Sequence, residues 1–127
     1  SLPSALMRNR ACSVTQPLDT CNMKKALHEF KGEHDFSGFM STGSSTKTTV
    51  RTIFDVNLQQ MDEIIEFQIT GSGFLYNMVR IIAGTLIDVG KGKTKAADIP
   101  NIIKSRDRSR SGATAPAHGL YLVEVYY

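Results

Sequence analysis

Arg80 is the residue whose setting most needs a chemical explanation. It stands between Val79 and Ile81 in the most apolar stretch of the 127-residue chain, where residues 74–89 read as one long helix. Arginine does not shed its charge in proteins, so burying it requires an anionic partner or a route back to water. Asp88 lies eight residues on and about 80° round such a helix, a poor local partner. Asn77 is three residues back but uncharged. Two readings follow. Arg80 faces a cleft and pairs with a carboxylate or phosphate from elsewhere, or it snorkels to the surface past Gly84 with no chemical role.

A second candidate is a concentration of positive charge. Residues 91–110 hold Lys91, Lys93, Lys95, Lys104, Arg106, Arg108 and Arg110 against Asp98 and Asp107, a local charge of +5 in a chain whose total is +3. Such a segment suits a polyanion; the alternative is a solvated basic surface. Other signatures fail. Gly71-Ser72-Gly73 lacks the third glycine of a dinucleotide fingerprint, because position 76 is Tyr. Gly92-Lys93-Thr94 lacks the first glycine of a P-loop, because position 87 is Ile. The aromatic RNA-binding motif of RRM domains is absent, and no Ser, His and Asp set announces a hydrolytic triad. His28, His34 and His118 lack zinc-site spacing, so no metal is expected.

The elements that must position these groups can be read from periodicity. Residues 1–16 read as irregular, and residues 17–127 as one domain. A helix enters with Asp19 or Thr20 as N-cap, buries Met23, Ala26, Leu27 and Phe30, and ends at Gly32. From Thr48 the period is two: Val50, Thr52, Phe54, Val56 and Leu58 share one face of a strand, opposite Arg51, Ile53, Asp55, Asn57 and Gln59. Ile65, Phe67 and Ile69 mark a second strand, joined to the first by a turn near residues 60–62. The largely buried helix over 74–89 follows, then a basic loop, a short helix capped by Asp98 with Pro100 in its first turn, a loop over 112–119, and a last strand over 120–127. This order predicts an α+β domain, an antiparallel sheet with helices packed on it.

Bulk properties fit. Hydrophobic residues make up 41% and charged residues 21%, ordinary for a globular domain with a real core. No apolar run is long enough to span a bilayer, and the first residues lack a signal-peptide pattern. Cys12 and Cys21 read as free thiols of a reducing, cytoplasmic compartment.

Four blocks carry a family resemblance. They are Gly71-Ser72-Gly73-Phe74-Leu75-Tyr76-Asn77-Met78-Val79-Arg80-Ile81-Ile82-Ala83-Gly84, Gly32-Glu33-His34-Asp35-Phe36-Ser37-Gly38-Phe39, Lys47-Thr48-Thr49-Val50-Arg51-Thr52-Ile53, and Thr114-Ala115-Pro116-Ala117-His118-Gly119-Leu120-Tyr121-Leu122. In type and order they resemble the TruA-type tRNA pseudouridine synthases over about residues 17–127, the C-terminal half of such an enzyme.

That resemblance implies an isomerase that converts uridine to pseudouridine in the tRNA anticodon stem-loop. It implies no cofactor, and a cytoplasmic homodimer whose cleft is shared between domains. In the family a catalytic aspartate attacks ribose or base, the glycosidic bond breaks, and the uracil rejoins through carbon 5. The arginine of the Met-Val-Arg segment is that carboxylate's partner, which carries over to Arg80. The family's Arg-Thr-Asp-Ala-Gly block is missing: the Arg51-Thr52 pair continues as Ile53. The chain alone is therefore expected to be inactive. Lys91, Lys93, Arg106, Arg108 and Arg110 become the expected phosphate contacts, and Thr114, Ala115 and Pro116 an RNA-facing loop. His34 to Phe36 is expected to be a helix-exit turn with packing phenylalanines, and Phe74 and Leu75 are expected to be core.

Overall fold

The computed structural model describes residues 6–11, 18–41, 48–61, 64–114 and 120–122. Among them five strands form one antiparallel sheet: β1 (Leu6–Ala11), β2 (Gly32–Asp35), β3 (Val50–Met61), β4 (Ile64–Gly71) and β5 (Leu120–Leu122), in the order β2-β3-β4-β1-β5. Three helices, α1 (Thr20–His28), α2 (Met78–Gly90) and α3 (Ile99–Ser105), complete an α+β fold. Helix α1 packs against both β3 and α2, and α3 against β2. One core joins Met23, Ala26 and Leu27 of α1, Ile53, Val56 and Leu58 of β3, Ile65, Phe67 and Ile69 of β4, and Ile81, Ile82 and Leu86 of α2.

The sheet departs from the sequence reading at three places. Residues 6–11, expected to be irregular, form β1, which lies between β4 and β5. Residues 32–35, expected to include a turn, form the edge strand β2, paired from Gly32↔Ile53 to Asp35↔Val50. The expected packing of its flanking rings holds. Phe30, Phe36 and Phe39 are fully buried, with Phe30 edge-on to Phe39 at 5.2 Å between centroids. The third departure is the phase of β3. Its register shifts between Ile53 and Asp55, so Ile53 turns inward before the irregularity, and Val56 and Leu58 after it. Val50 and Phe54, assigned inward by strict alternation, are 42% and 48% exposed. One extra residue in a strand flips every side chain beyond it. The β3–β4 pairing continues to Met61↔Ile64, so residues 60 and 61 are strand, and residues 62–63 lie outside the described residues.

Helix α1 starts as expected: Asp19 Oδ1 accepts the N–H of Asn22 at 3.1 Å, and Asp19 N–H donates to Gly90 O at 2.9 Å. That second bond ties the start of α1 to the end of α2. Asp98 does occupy the N-cap position of α3, with Pro100 in the first turn, but its side chain makes no capping bond. The chain reaches it through a 3-10 turn, Ala96–Asp98, rather than from an extended segment. Of the expected final strand, residues 120–122 are described. No helix among the described residues is long and apolar enough to cross a membrane.

Helix α2 is buried along most of its length, as its composition requires, but it begins at Met78 rather than near Phe74. Gly73 has φ +154° and Asn77 φ +60°, both outside right-handed helix geometry. Ser41 N–H donates to Tyr76 O at 3.0 Å, which spends that carbonyl outside the helix. Leu75 is buried and Phe74 packs against the core, as expected.

Candidate functional site

The late start of α2 changes what Arg80 is. It is the third residue of the helix, in its first turn, and only partly buried. The positive end of the helix dipole disfavours a cation there and favours an anion beside it. The guanidinium and the helix terminus thus present positive potential to the same space. Helical side chains lean toward the N-terminus, and Arg80 Nη1 donates to Asn77 Oδ1 at 3.1 Å. Asn77 Nδ2 in turn donates to Ser41 Oγ at 3.0 Å.

Beside Gly84 the helix surface is covered by loop backbone. Arg80 and Gly84, four residues apart, share a helix face about 6 Å apart along the axis. A Cβ on Gly84 would sit 1.7 Å from Ala113 O, and one on Gly112 would sit 2.5 Å from Thr85 N. Glycine at both positions lets the loop backbone lie directly on the helix backbone. Thr85, buried in α2, locks the contact: its Oγ1 accepts from Gly112 N–H at 2.8 Å and donates to Ile81 O at 2.8 Å. The segment leading to Thr114 is therefore seated one turn from Arg80.

Arg108 holds the same segment from the other side. Its Nη1 donates to Ser111 Oγ at 2.9 Å and to Gly112 O at 2.8 Å, and its Nη2 to Thr114 Oγ1 at 3.2 Å. Three of the five donors of an arginine are spent on the loop. Ser111 Oγ also lies 2.8 Å from Gly38 O, which fastens the loop to the 3-10 turn Ser37–Phe39. Arg106, exposed and in a left-handed conformation, reaches within 3.8 Å of Asp35 Oδ2, and Arg110 is exposed nearby in the 3-10 turn Arg108–Arg110. Asp35 is held below its ordinary carboxylate value. The Thr49 hydroxyl at 2.6 Å is the chief cause; burial opposes it, Ser37 N–H adds to it, and Arg106 adds least. Asp107 is lowered by the Ser109 hydroxyl and N–H.

The basic run is thus divided in space. Lys91 and Lys93 are exposed just beyond the far end of α2. Eleven residues of helical rise separate Lys91 from Arg80, about 16 Å. After helix α3, Arg106 stands beside Asp35, and Arg108 holds the segment from Ser111 to Thr114 whose glycine backbone rests on α2 at Gly84 and Thr85. Ala115 and Pro116 lie outside the described residues. Sequence reasoning set Asn77 aside as an uncharged neighbour of Arg80 and did not single out Ser41. Asparagine's tolerance of the left-handed region was the one signal available at position 77, which the sequence reading placed inside the helix, and nothing in the sequence pointed to Ser41 as its partner. Among the described residues no cluster of three or more His, Cys, Asp or Glu could hold a metal ion.

A family model described as tRNA pseudouridine synthase matches residues 26–127. The chain is 61% identical over 125 residues to "tRNA pseudouridine synthase A" of Acetivibrio thermocellus, covering 98% of this chain and 51% of that protein. It is 53% identical over 125 residues to the protein of that name in Ruminiclostridium cellulolyticum, covering 98% and 51%. Against that of Thermoanaerobacter sp. it is 46% identical over 121 residues, covering 95% and 50%. The chain spans about half the length of the curated relatives it matches. With a model matching most of its residues and relatives this similar, the chain belongs to the tRNA pseudouridine synthase family.

Proposed function

We propose that this chain is the C-terminal domain of an enzyme that isomerises uridine to pseudouridine in the tRNA anticodon stem-loop. The observation that carries the reading is Arg80, in the first turn of α2, where guanidinium and helix terminus both favour an anion. The anion is the catalytic carboxylate, supplied by an Arg-Thr-Asp-Ala-Gly block that these 127 residues do not contain. A neighbouring arginine stabilises the ionised carboxylate and fixes its direction, the two conditions for a carboxylate nucleophile. The 127 residues alone are accordingly inactive.

The RNA lies across the Arg80 end of the domain. Arg106 and Arg110 contact phosphate there, Arg108 shapes the loop carrying Thr114, Ala115 and Pro116, and Lys91 and Lys93 reach more distant backbone. No cofactor takes part. The whole enzyme is a cytoplasmic homodimer, following the family resemblance.

The test supplies the full-length protein with tRNA tritiated at uridine carbon 5 and counts released tritium, beside Arg80→Ala and the 127-residue chain. Release by the full-length protein only, with severe loss in a folded Arg80→Ala, is the expected result. No release by the folded full-length protein across several tRNAs would leave a non-catalytic RNA-binding domain instead.

A further inference from the structure

We propose that Asn77 is a positioning residue for Arg80, and that Ser41 anchors it from another part of the fold. The proposal rests on Arg80 being the partner of the catalytic carboxylate. It assigns two residues a part in setting the direction of that arginine.

Three bonds form a chain. Ser41 N–H donates to Tyr76 O at 3.0 Å, Asn77 Nδ2 to Ser41 Oγ at 3.0 Å, and Arg80 Nη1 to Asn77 Oδ1 at 3.1 Å. Arginine has donors only, so the amide oxygen must face it and the amide nitrogen must face the serine. The amide orientation is thus set by chemistry and leaves no second solution. The backbone of Asn77, at φ +60° and ψ +11°, lies in the left-handed region, which asparagine tolerates better than most residues. That conformation ends the loop, starts α2 and places the amide beside the first turn.

A neutral amide suits the task. Arginine has many rotamers, and a bond from one Nη to an uncharged amide narrows the choice without itself opposing the guanidinium charge. A carboxylate at position 77 would hold Arg80 as firmly but would neutralise the charge the reaction needs. Asparagine orients without quenching.

The experiment uses the full-length protein and tritium release. Asn77→Gly keeps the left-handed backbone without strain and removes the amide. The expected result is a fall in kcat of roughly 10- to 100-fold with KM for tRNA changed by less than about twofold. Asn77→Asp is expected to lose kcat as well, because its charge competes with the catalytic carboxylate. Ser41→Ala is expected to give a smaller loss, and Ser41→Thr, which keeps the hydroxyl, to restore activity. Full activity in Asn77→Gly would show that only the backbone conformation matters, and would overturn the proposal. So would a rise in KM with kcat unchanged. A wild-type protein that releases no tritium would defeat the synthase reading instead. Crystal structures of wild type and Asn77→Gly then decide the positioning role: a displaced guanidinium supports it, and an unmoved one overturns it.

Discussion

The two ends of α2 meet their surroundings in different ways. At its start, Asn77 and Arg80 are tied by side-chain bonds to Ser41, and one turn on, Gly84 and Thr85 take the backbone of residues 112–113 against the helix. At its end, Gly90 accepts one bond from Asp19 and the chain emerges into exposed Lys91, Gly92 and Lys93. The first end is over-determined by polar contacts from distant segments; the second is a docked helix terminus beside a solvated basic turn. Ties of this kind fix side-chain direction more closely than apolar docking does, which is what the proposed role of Arg80 asks of that end.

The two ends of α2 should differ most in their response to substitution at Arg80. Arg80→Ala in the full-length protein should lower kcat for tritium release by roughly 10²–10³-fold with the fold intact, while Lys91→Ala should leave kcat nearly unchanged. Equal effects at the two ends would remove the distinction.

The next largest effect falls on stability. Gly84→Ala places a methyl where Ala113 O lies, so the loop must lift from the helix, at a cost of about 1–3 kcal/mol read by urea denaturation. Thr85→Val keeps the shape but leaves Gly112 N–H without its acceptor, which should cost about 1–3 kcal/mol. A neutral Gly84→Ala would mean that the loop is not seated on α2.

A finer test uses salt. Replacing Arg106 and Arg110 together by Ala should flatten the salt dependence of tRNA binding by about 0.7–0.9 for each phosphate no longer neutralised. The Lys91 and Lys93 pair should flatten it less. The reverse order would move the RNA path toward the far end of α2.

The smallest effect concerns Asp35, whose folded pKa is depressed. Its ionised form therefore adds stability above its ordinary value of 3.8, and that contribution is lost as pH falls through the lower folded value. The stability advantage of wild type over Asp35→Asn should shrink as pH drops below about 4. An advantage independent of acid would place the effect in packing rather than charge.

Much of the fold was legible in periodicity. The inward set Ile65, Phe67 and Ile69, the Asp19 cap and the burial of α2 all follow from local spacing. The errors share a cause. Strict alternation describes β3 correctly after its irregularity and wrongly before it, because the shift is a property of the pairing with β4. Periodicity starts α2 four residues early because Phe74 and Leu75 are apolar enough to continue the helix, whereas the turn at Asn77 is held from Ser41.

By itself, the sequence determined the α+β class, the apolar helix with an arginine whose charge had to be answered, and the four blocks that placed the chain in its family. Those properties reside in local spacing and residue type. Only the tertiary structure decided that Arg80 sits in a first turn, that Asn77 and Ser41 are bonded to it in series, and that Arg108 holds a loop laid on α2 while Lys91 and Lys93 stand exposed beyond its far end. Each of these depends on segments distant in sequence meeting in space, where a backbone contact without a Cβ or a single amide sets the geometry, and periodicity carries no record of a partner.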